Sequence, residues 1–208
     1  MITLKNVKMA KQKKILEDYG DFELVAGLDE VGRGCGAGPV VTAAVIMPRG
    51  FKSELIRDSK KLSEKQRLEA YQLILDNAIA IACNAGSVTE IDEIGINPST
   101  FNTMYKCLDD LSVGPEHILV DGTVWTKRDK DVEVTLVPKG DDTYTCIAAA
   151  AIVAKVRRDE YMTKLHELYP EYNWKSNKGY LTPDHIAALK ENGSNKYHRK
   201  QYVKNFVK

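Results

Sequence analysis

The sequence has few of the features that mark secreted, zinc-binding or membrane proteins. Its four cysteines, Cys35, Cys83, Cys107 and Cys146, are scattered and form no CxxC pair, whereas structural zinc sites draw their ligands from such close pairs. The first residues do not resemble a signal peptide, so disulfides are not expected, and no apolar run approaches membrane-spanning length. These absences favour a cytoplasmic protein with no membrane association.

Net charge does not by itself indicate a nucleic-acid partner. The 208 residues carry 30 Lys and Arg against 29 Asp and Glu, but basic residues are concentrated at both ends, in the stretch up to Lys14 and from Lys155 onward. A metal site flanked by a phosphate-binding surface would show this pattern, and so would solvated helix faces, so charge leaves both readings open. The hydrophobic fraction of 43% is enough for one folded domain.

Hydrophobic periodicity predicts strands that alternate with helices. Apolar or β-branched runs predict strands over 22–28, 40–48, 78–88, 117–120 and 132–137, and helical spacing predicts helices over 63–77, 97–111 and 142–169. We therefore expect an α/β fold, a mixed β-sheet flanked by helices, over residues 1–169. Residues 170–208 are expected to form a small helical C-terminal lobe of the same domain that contributes to substrate binding.

Acidic residues follow three of the predicted strands. Asp29 and Glu30 follow LVAGL, Asp121 follows HILV, and Asp141 comes with Asp142 between a strand and an alanine-rich helix. Clustered carboxylates repel and raise one another's pKa unless a cation neutralises them. Each acid alone could cap a helix or pair with a lysine, but the three groups together favour a divalent-cation site.

Several segments in this order resemble the signatures of the ribonuclease HII family. They cover most of the chain and read GLDEVGRGCGAGPVVTAAVI (27–46), DSKKLSEKQR (58–67), VDGT (120–123), PKGDDTYTCIAAAAIVAKVRRDEY (138–161), NKGYLTPDH (177–185) and HRKQY (198–202). No single segment is unique, but the ordered set is highly specific. The resemblance implies an RNase H-like fold and a hydrolase that cuts RNA within RNA/DNA duplexes.

The resemblance also implies a set of metal ligands, which is Asp29, Glu30, Asp121 and Asp141. Asp142 and Asp159 are the competing acids, and the family pattern makes Asp159 a structural or supporting residue. Adjacent residues on a regular strand face opposite sides. Glu30 would therefore reach the pocket of Asp29 only if the backbone bends, which the glycines at 32 and 34 could allow.

The family mechanism implies two Mg²⁺ or Mn²⁺ ions and hydrolysis that leaves a 5′ phosphate and a 3′ hydroxyl. Substrates would be RNA/DNA hybrids and duplex DNA with embedded ribonucleotides, incised on the 5′ side. The backbone of Gly32, Arg33 and Gly34 would read the 2′-hydroxyl, and glycine permits such close approach. Tyr180 would contact the nucleotide after the ribonucleotide, and Lys60 and Lys61 would lie near the phosphates.

The sequence departs from the family pattern at two positions and leaves several alternatives. Asn177 replaces a common histidine and Ala151 a common serine, which puts contacts around the site in doubt. A dinucleotide-binding turn at Gly32, Gly34 and Ala37 is excluded because a strand follows it, and a calcium loop at 129–133 lacks its glycine and glutamate. An inactive hybrid-binding module and a DNA resolvase or integrase are the rival functions. We expect a monomer, and a sliding-clamp contact has no clear peptide to support it.

Overall fold

The computed structural model describes residues 17–126 and 132–207, and a five-stranded mixed sheet lies at its centre. The strands are β1 (Val25–Val31), β2 (Val40–Ile46), β3 (Ala80–Gly86), β4 (His117–Asp121) and β5 (Val134–Val137). Their order in the sheet is β3-β2-β1-β4-β5, with β1 antiparallel to β2 and parallel to β4. The predicted mixed sheet flanked by helices is confirmed.

Seven α-helices flank this sheet or follow it in the described part of the chain. They are α1 (Glu64–Asn77), α2 (Val88–Ile94), α3 (Ile96–Asp110), α4 (Thr145–Leu168), α5 (Trp174–Asn177), α6 (Pro183–Asn192) and α7 (Lys200–Val203). Ser63 and Gln66 form the predicted capping box at the start of α1.

The two faces of the sheet are covered by different helices. Residues of β2 pack with the alanine-rich part of α4 and with α1 in one cluster, whereas Ala26 and Leu28 pack with Met104 and Cys107 of α3 in another. A Cβ at Gly27 would lie 2.2 Å from the backbone carbon of Cys146. Glycine is therefore required at position 27, and its absence of a side chain lets α4 approach the strand that carries Asp29.

The C-terminal elements share a hydrophobic cluster with the end of α4. Met162 and Leu165 of α4 pack with Trp174, Leu189 and Val203. This cluster also includes Ala37 from the segment between β1 and β2, so the C-terminal residues contact the glycine-rich turn directly. No helix in the described ranges is long and apolar enough to cross a membrane.

Some element boundaries differ from the sequence predictions. Strand β1 does not end before Asp29 but continues to Val31, because Asp29 and Glu30 pair with Ala43 and Thr42 of β2. Helix α4 begins at Thr145 rather than at 142, since residues 140–142 form a separate 3-10 turn. Helix α2 was not predicted. The basic segment up to Lys14 and most of the calcium-loop candidate lie outside the described residues.

Candidate active site

Three of the four predicted acids lie on the sheet face that α4 covers. Asp29 has the same orientation as Gly27, whose missing side chain faces α4. Leu119 packs with Ile147 of α4, so Asp121, two residues further along β4, faces the same way. Asp141 lies in the turn that leads into α4. Because β1 and β4 are parallel, Asp29 and Asp121 meet at the carboxyl ends of neighbouring strands.

Glu30 lies on the opposite face, and no backbone bend brings it round. Strand β1 keeps its register with β2 through Val31, so the expected bend is absent. The paired register of β1 with β4 ends at Leu28 and Val120. The sheet is therefore open between Glu30 and Asp121, and both side chains line one small cleft.

Backbone N–H groups hold two of these carboxylates. The N–H of Glu30 donates to Oδ1 of Asp29 over 2.6 Å, and the N–H of Gly140 donates to Oδ1 of Asp121 over 2.8 Å. The second bond ties the turn that carries Asp141 to the end of β4. A carboxylate has two oxygens, so each acid can accept such a bond and still bind a ligand.

The acids strongly perturb one another. Burial, followed by the charges of Glu30 and Asp121, raises the pKa of Asp29 well above its ordinary value, and only 6% of this residue is exposed. Burial also raises the pKa of Glu30, against the effect of Arg33. The pKa of Asp141 is raised by burial and then by Asp58 and Asp121. Such crowding of like charges is typical of functional sites.

The donor set fits a hard divalent cation, because every acid offers oxygen. Among residues 17–126 and 132–207, however, no three His, Cys, Asp or Glu side chains already stand together as a group that could hold a metal ion. The carboxylates interact through their charges without yet converging on one point.

The competing acids have other partners. Asp142 accepts two hydrogen bonds from Nζ of Lys61, at 2.5 and 2.7 Å. Asp159 accepts a 2.7 Å bond from Lys155 on the same helix and lies 3.8 Å from Arg67. Of the two neighbouring acids, Asp141 is thus the one within the cluster.

The glycine-rich turn directly follows the acids. Gly32 has φ of +93°, a conformation that favours glycine, and a Cβ there would overlap the side chain of Arg158. A Cβ at Gly34 would meet nothing within 4 Å, and Gly34 is exposed. The Arg33 side chain bonds to Asn97 and lies 3.4 Å from Glu30.

The predicted basic and aromatic residues surround this turn and the acids. Lys60 is mostly exposed, and its Nζ lies 3.9 Å from Asp141. Tyr180 is 46% exposed, and its hydroxyl contacts Cys35. Asn177, one of the two departures, accepts a 2.8 Å bond from the N–H of Gly179 and donates a 2.7 Å bond to the carbonyl of Tyr172. Asn177 therefore stabilises the turn that carries Tyr180.

Three residues of this region were missed by sequence reasoning. Asp58 caps the 3-10 turn of Lys60 and Lys61 and contributes to the raised pKa of Asp141, after burial. Arg158 and Arg199 are completely buried and donate hydrogen bonds to carbonyls of the glycine-rich segment. Asp58 could have been found from its place beside the lysine pair. The arginines left no signal, since backbone carbonyls carry no sequence pattern.

Comparisons with known proteins agree with this arrangement. The family model of ribonuclease HII matches residues 26–206. The ribonuclease HII of Bacteroides thetaiotaomicron is 50% identical over 186 residues, which are 89% of this chain and 92% of that protein.

Two solved structures share the fold. The ribonuclease H2 of Pyrococcus horikoshii OT3 has a TM-score of 0.75 at 26% identity, over 88% of this chain and 96% of that one. The RNase HII of Archaeoglobus fulgidus, solved in complex with PCNA, has a TM-score of 0.68 at 26% identity, over 85% and 93%. The chain therefore belongs to the ribonuclease HII family and is an RNase H endonuclease that acts on RNA in RNA/DNA hybrids.

Proposed function

We propose that this enzyme, besides cutting the RNA strand of hybrids, incises duplex DNA on the 5′ side of a single embedded ribonucleotide. The products would be a 5′ phosphate and a 3′ hydroxyl, as suits a role in DNA replication and repair. The observation that carries the proposal is the direct succession of acids and exposed glycine backbone. Asp29 and Glu30 lie just before Val31, the last residue of β1, and the turn of Gly32, Arg33 and Gly34 follows directly, with residues 33 and 34 exposed. Chemistry and ribose recognition thus lie within one turn of each other.

Asp29, Glu30, Asp121 and Asp141 would hold two divalent cations, Mg²⁺ or Mn²⁺. The support is the burial of Asp29 and Asp141, the raised pKa of Asp29, Glu30 and Asp141, and the all-oxygen donor set. A cation would remove the repulsion between the carboxylates. Side-chain rotation would then let Asp29, Asp121 and Asp141 converge on the α4 face, and Glu30 would approach from the other face, where the sheet is open beside Asp121. When bound, the cations supply the positive charge and Lewis acidity for phosphodiester hydrolysis.

The chain's own residues would orient these ligands and the substrate. The N–H groups of Glu30 and Gly140 fix the carboxylates of Asp29 and Asp121. Lys60, which is exposed beside Asp141, would contact the phosphate backbone of the substrate. Lys61 would lie near the same phosphates, held in place by its bond to Asp142.

Selectivity for RNA would reside in the turn and in Tyr180. The exposed backbone at Gly34 allows a sugar to approach closely, so Gly32, Arg33 and Gly34 would bind the 2′-hydroxyl. The half-exposed ring of Tyr180 would contact the following nucleotide. The C-terminal lobe would then contribute to substrate binding by presenting this ring.

We also propose that the enzyme acts as a cytoplasmic monomer. The archaeal relative was solved with PCNA. In this chain, residues 201–206 fall partly in α7 and form no clear clamp-binding peptide, so a clamp contact is not part of the proposal.

The decisive experiment is a cleavage assay on duplex DNA that carries one ribonucleotide, run with Mg²⁺ and with Mn²⁺. We expect one cut, on the 5′ side of the ribonucleotide, and no cut in the matched all-DNA duplex. Binding without cleavage under both metals would favour an inactive hybrid-binding module. Equal cleavage of the all-DNA duplex would favour a resolvase-like activity.

A further inference from the structure

A buried arginine from the C-terminal lobe holds the turn that follows the acids. Arg199 is 0% exposed. Its Nη1 donates to the carbonyl of Arg33 over 2.8 Å and its Nη2 to the carbonyl of Gly32 over 2.6 Å. Its Nε and Nη2 also donate to the carbonyl of Gly38, at 3.0 and 2.9 Å. One guanidinium thus joins the start and the end of the glycine-rich segment.

These hydrogen bonds determine where the peptide N–H groups of the turn point. In a planar trans peptide the carbonyl and the N–H point in opposite directions. With the carbonyls of Gly32 and Arg33 held inward by Arg199, the N–H groups of Arg33 and Gly34 face away from it. Residues 33 and 34 are exposed and a Cβ at Gly34 would meet nothing within 4 Å, so a ligand can approach the turn there.

The chemistry of this anchor is specific to arginine. A guanidinium presents five donors in a rigid plane, whereas a lysine ammonium is a compact point charge. The guanidinium also lies 5.3 Å from the ring centroid of Tyr202. Burying a cation is unfavourable compared with apolar packing, and burial accordingly lowers the pKa of Arg199.

A second buried arginine, Arg158, holds a different part of the glycine-rich segment. Arg158 of α4 is also fully buried, and it donates to the carbonyls of Pro39, Ala37 and Lys178, at 2.9, 3.0 and 2.7 Å. It therefore holds the far end of the segment and the turn before Tyr180, but not the carbonyls of residues 32 and 33.

We propose that Arg199 is a positioning residue for ribose recognition, which sets the N–H groups of Arg33 and Gly34 toward the 2′-hydroxyl without touching substrate. This rests on the proposed function of the turn. The two buried arginines divide the work, since Arg199 orients the ribose-reading peptides and Arg158 secures the frame behind them.

The test compares binding to two duplexes that differ in one hydroxyl. Affinities for a duplex with a single ribonucleotide and for the all-DNA duplex are measured with Ca²⁺ in place of Mg²⁺, so that turnover is slowed. Arg199→Met should lower the preference for the ribonucleotide roughly tenfold, the effect of one or two lost hydrogen bonds. Its affinity for all-DNA duplex should stay unchanged.

Three further variants separate a loss of positioning from a general loss of folding. Ile74→Ala removes buried volume in α1, away from the turn, and should keep the full preference at a comparable loss of thermal stability. Arg199→Lys keeps the charge but not the planar fork, and should fold while retaining the lowered preference. In Arg199→Ala, millimolar guanidinium should restore the preference, whereas methylammonium should not.

The outcomes separate this inference from the proposed function. If wild-type protein shows no preference for the ribonucleotide and does not incise it, the proposed function itself is wrong. If wild-type protein incises it but Arg199→Met and Arg199→Lys keep the wild-type preference, Arg199 has no positioning role. Equal weakening on both duplexes would also overturn the inference, because it would indicate a structural role alone.

Discussion

The acidic end of the sheet and the C-terminal lobe bury ionisable groups in opposite ways. At the carboxyl ends of β1 and β4, Asp29 and Asp141 are 6% and 5% exposed, and burial and then neighbouring acids raise the pKa of each. In the lobe, His185 and His198 are equally buried but form a complete set of hydrogen bonds. One region is electrostatically strained, and the other is not.

In the histidine pair, the buried ring nitrogens form hydrogen bonds. Nδ1 of His185 lies 2.9 Å from the carbonyl of Tyr180 and must carry the proton there. Its Nε2 can then accept bonds from Trp174 and from Nε2 of His198, both at 3.1 Å. Nδ1 of His198 accepts the N–H of Asn195 over 3.0 Å. Every ring nitrogen has a role when both rings are neutral.

This difference between the two regions indicates which of them is the candidate for catalysis. Groups that are fully paired, such as the histidines and the two arginines, build the frame. Groups that repel one another are typical of places where a ligand relieves the repulsion, so the acidic region is the candidate site. The following predictions test this contrast, beginning with the largest expected effect.

Asp29→Asn should lower the activity of the enzyme and raise its stability. We expect turnover to fall by more than about 100-fold, since even residues behind metal ligands contribute that much. In EDTA the variant should be more stable than wild type by about 1 kcal/mol, because the amide keeps the bond from Glu30 without the buried charge. Cleavage rates and urea denaturation measure the two effects. Normal turnover would remove Asp29 from the site.

The histidine pair predicts a loss of stability in acid. Burial and the neighbouring His185 lower the pKa of His198 to about 4, below its unfolded value of about 6.5. The unfolded chain therefore binds a proton that the folded chain excludes. The stabilisation is complete above about pH 6.5 and is lost as pH falls toward 4, by about 3 kcal/mol.

Comparison with His198→Gln isolates this effect from the acids, whose raised pKa values act in the opposite direction. Urea denaturation in EDTA at several pH values should show the stability of wild type falling relative to the variant between pH 6.5 and 4. If the difference in stability between wild type and His198→Gln stays constant with pH, the folded state does not require a neutral His198.

Divalent cations should stabilise the acidic region by neutralising its carboxylates, and they should not affect the histidine pair. At a concentration about 100-fold above the dissociation constant, Mn²⁺ should stabilise the wild-type protein by roughly 2.7 kcal/mol. Asp121→Asn should lose most of this gain in a thermal unfolding assay, whereas His198→Gln should retain it. A similar gain in Asp121→Asn would place the cation elsewhere.

Tyr180→Ala tests the boundary between the two regions, because His185 of the lobe contacts the backbone carbonyl of Tyr180. We expect roughly tenfold slower incision at a single ribonucleotide, comparable to the loss of one stacking contact, and a smaller loss on long RNA/DNA hybrids. Tyr180→Phe keeps the ring and serves as the control. Equal losses on both substrates would argue against a junction-reading role.

Lys61→Ala should have the smallest effect. The pair of Lys61 with Asp142 is exposed to solvent, and exposed pairs contribute little to stability. We expect an unchanged melting temperature and only a few-fold slower cleavage. The difference from wild type should shrink as salt rises, because salt screens exposed charges. A large loss at high salt would assign Lys61 a direct role.

Much of the site was predictable because strand periodicity locates acids at the ends of strands. Asp29 and Asp121 follow from that pattern, and family resemblance favoured Asp141 over Asp142, as its place in the cluster supports. The extension of β1 to Val31 was not predictable, since pairing with β2 overrides the local polarity of Asp29 and Glu30. The contacts of Arg199 were not predictable either, because their acceptors are carbonyls that every residue has.

Arg199 acts on a turn that precedes it by 166 residues. During synthesis the turn therefore leaves the ribosome long before the side chain that orients it, and closing so long a loop belongs to the late steps of folding. The reverse holds in the finished protein, where a brief local opening around α7 releases the turn while the acids stay on their strands. With Arg199 in its proposed role, discrimination between RNA and DNA would be acquired late in folding and lost when α7 opens locally.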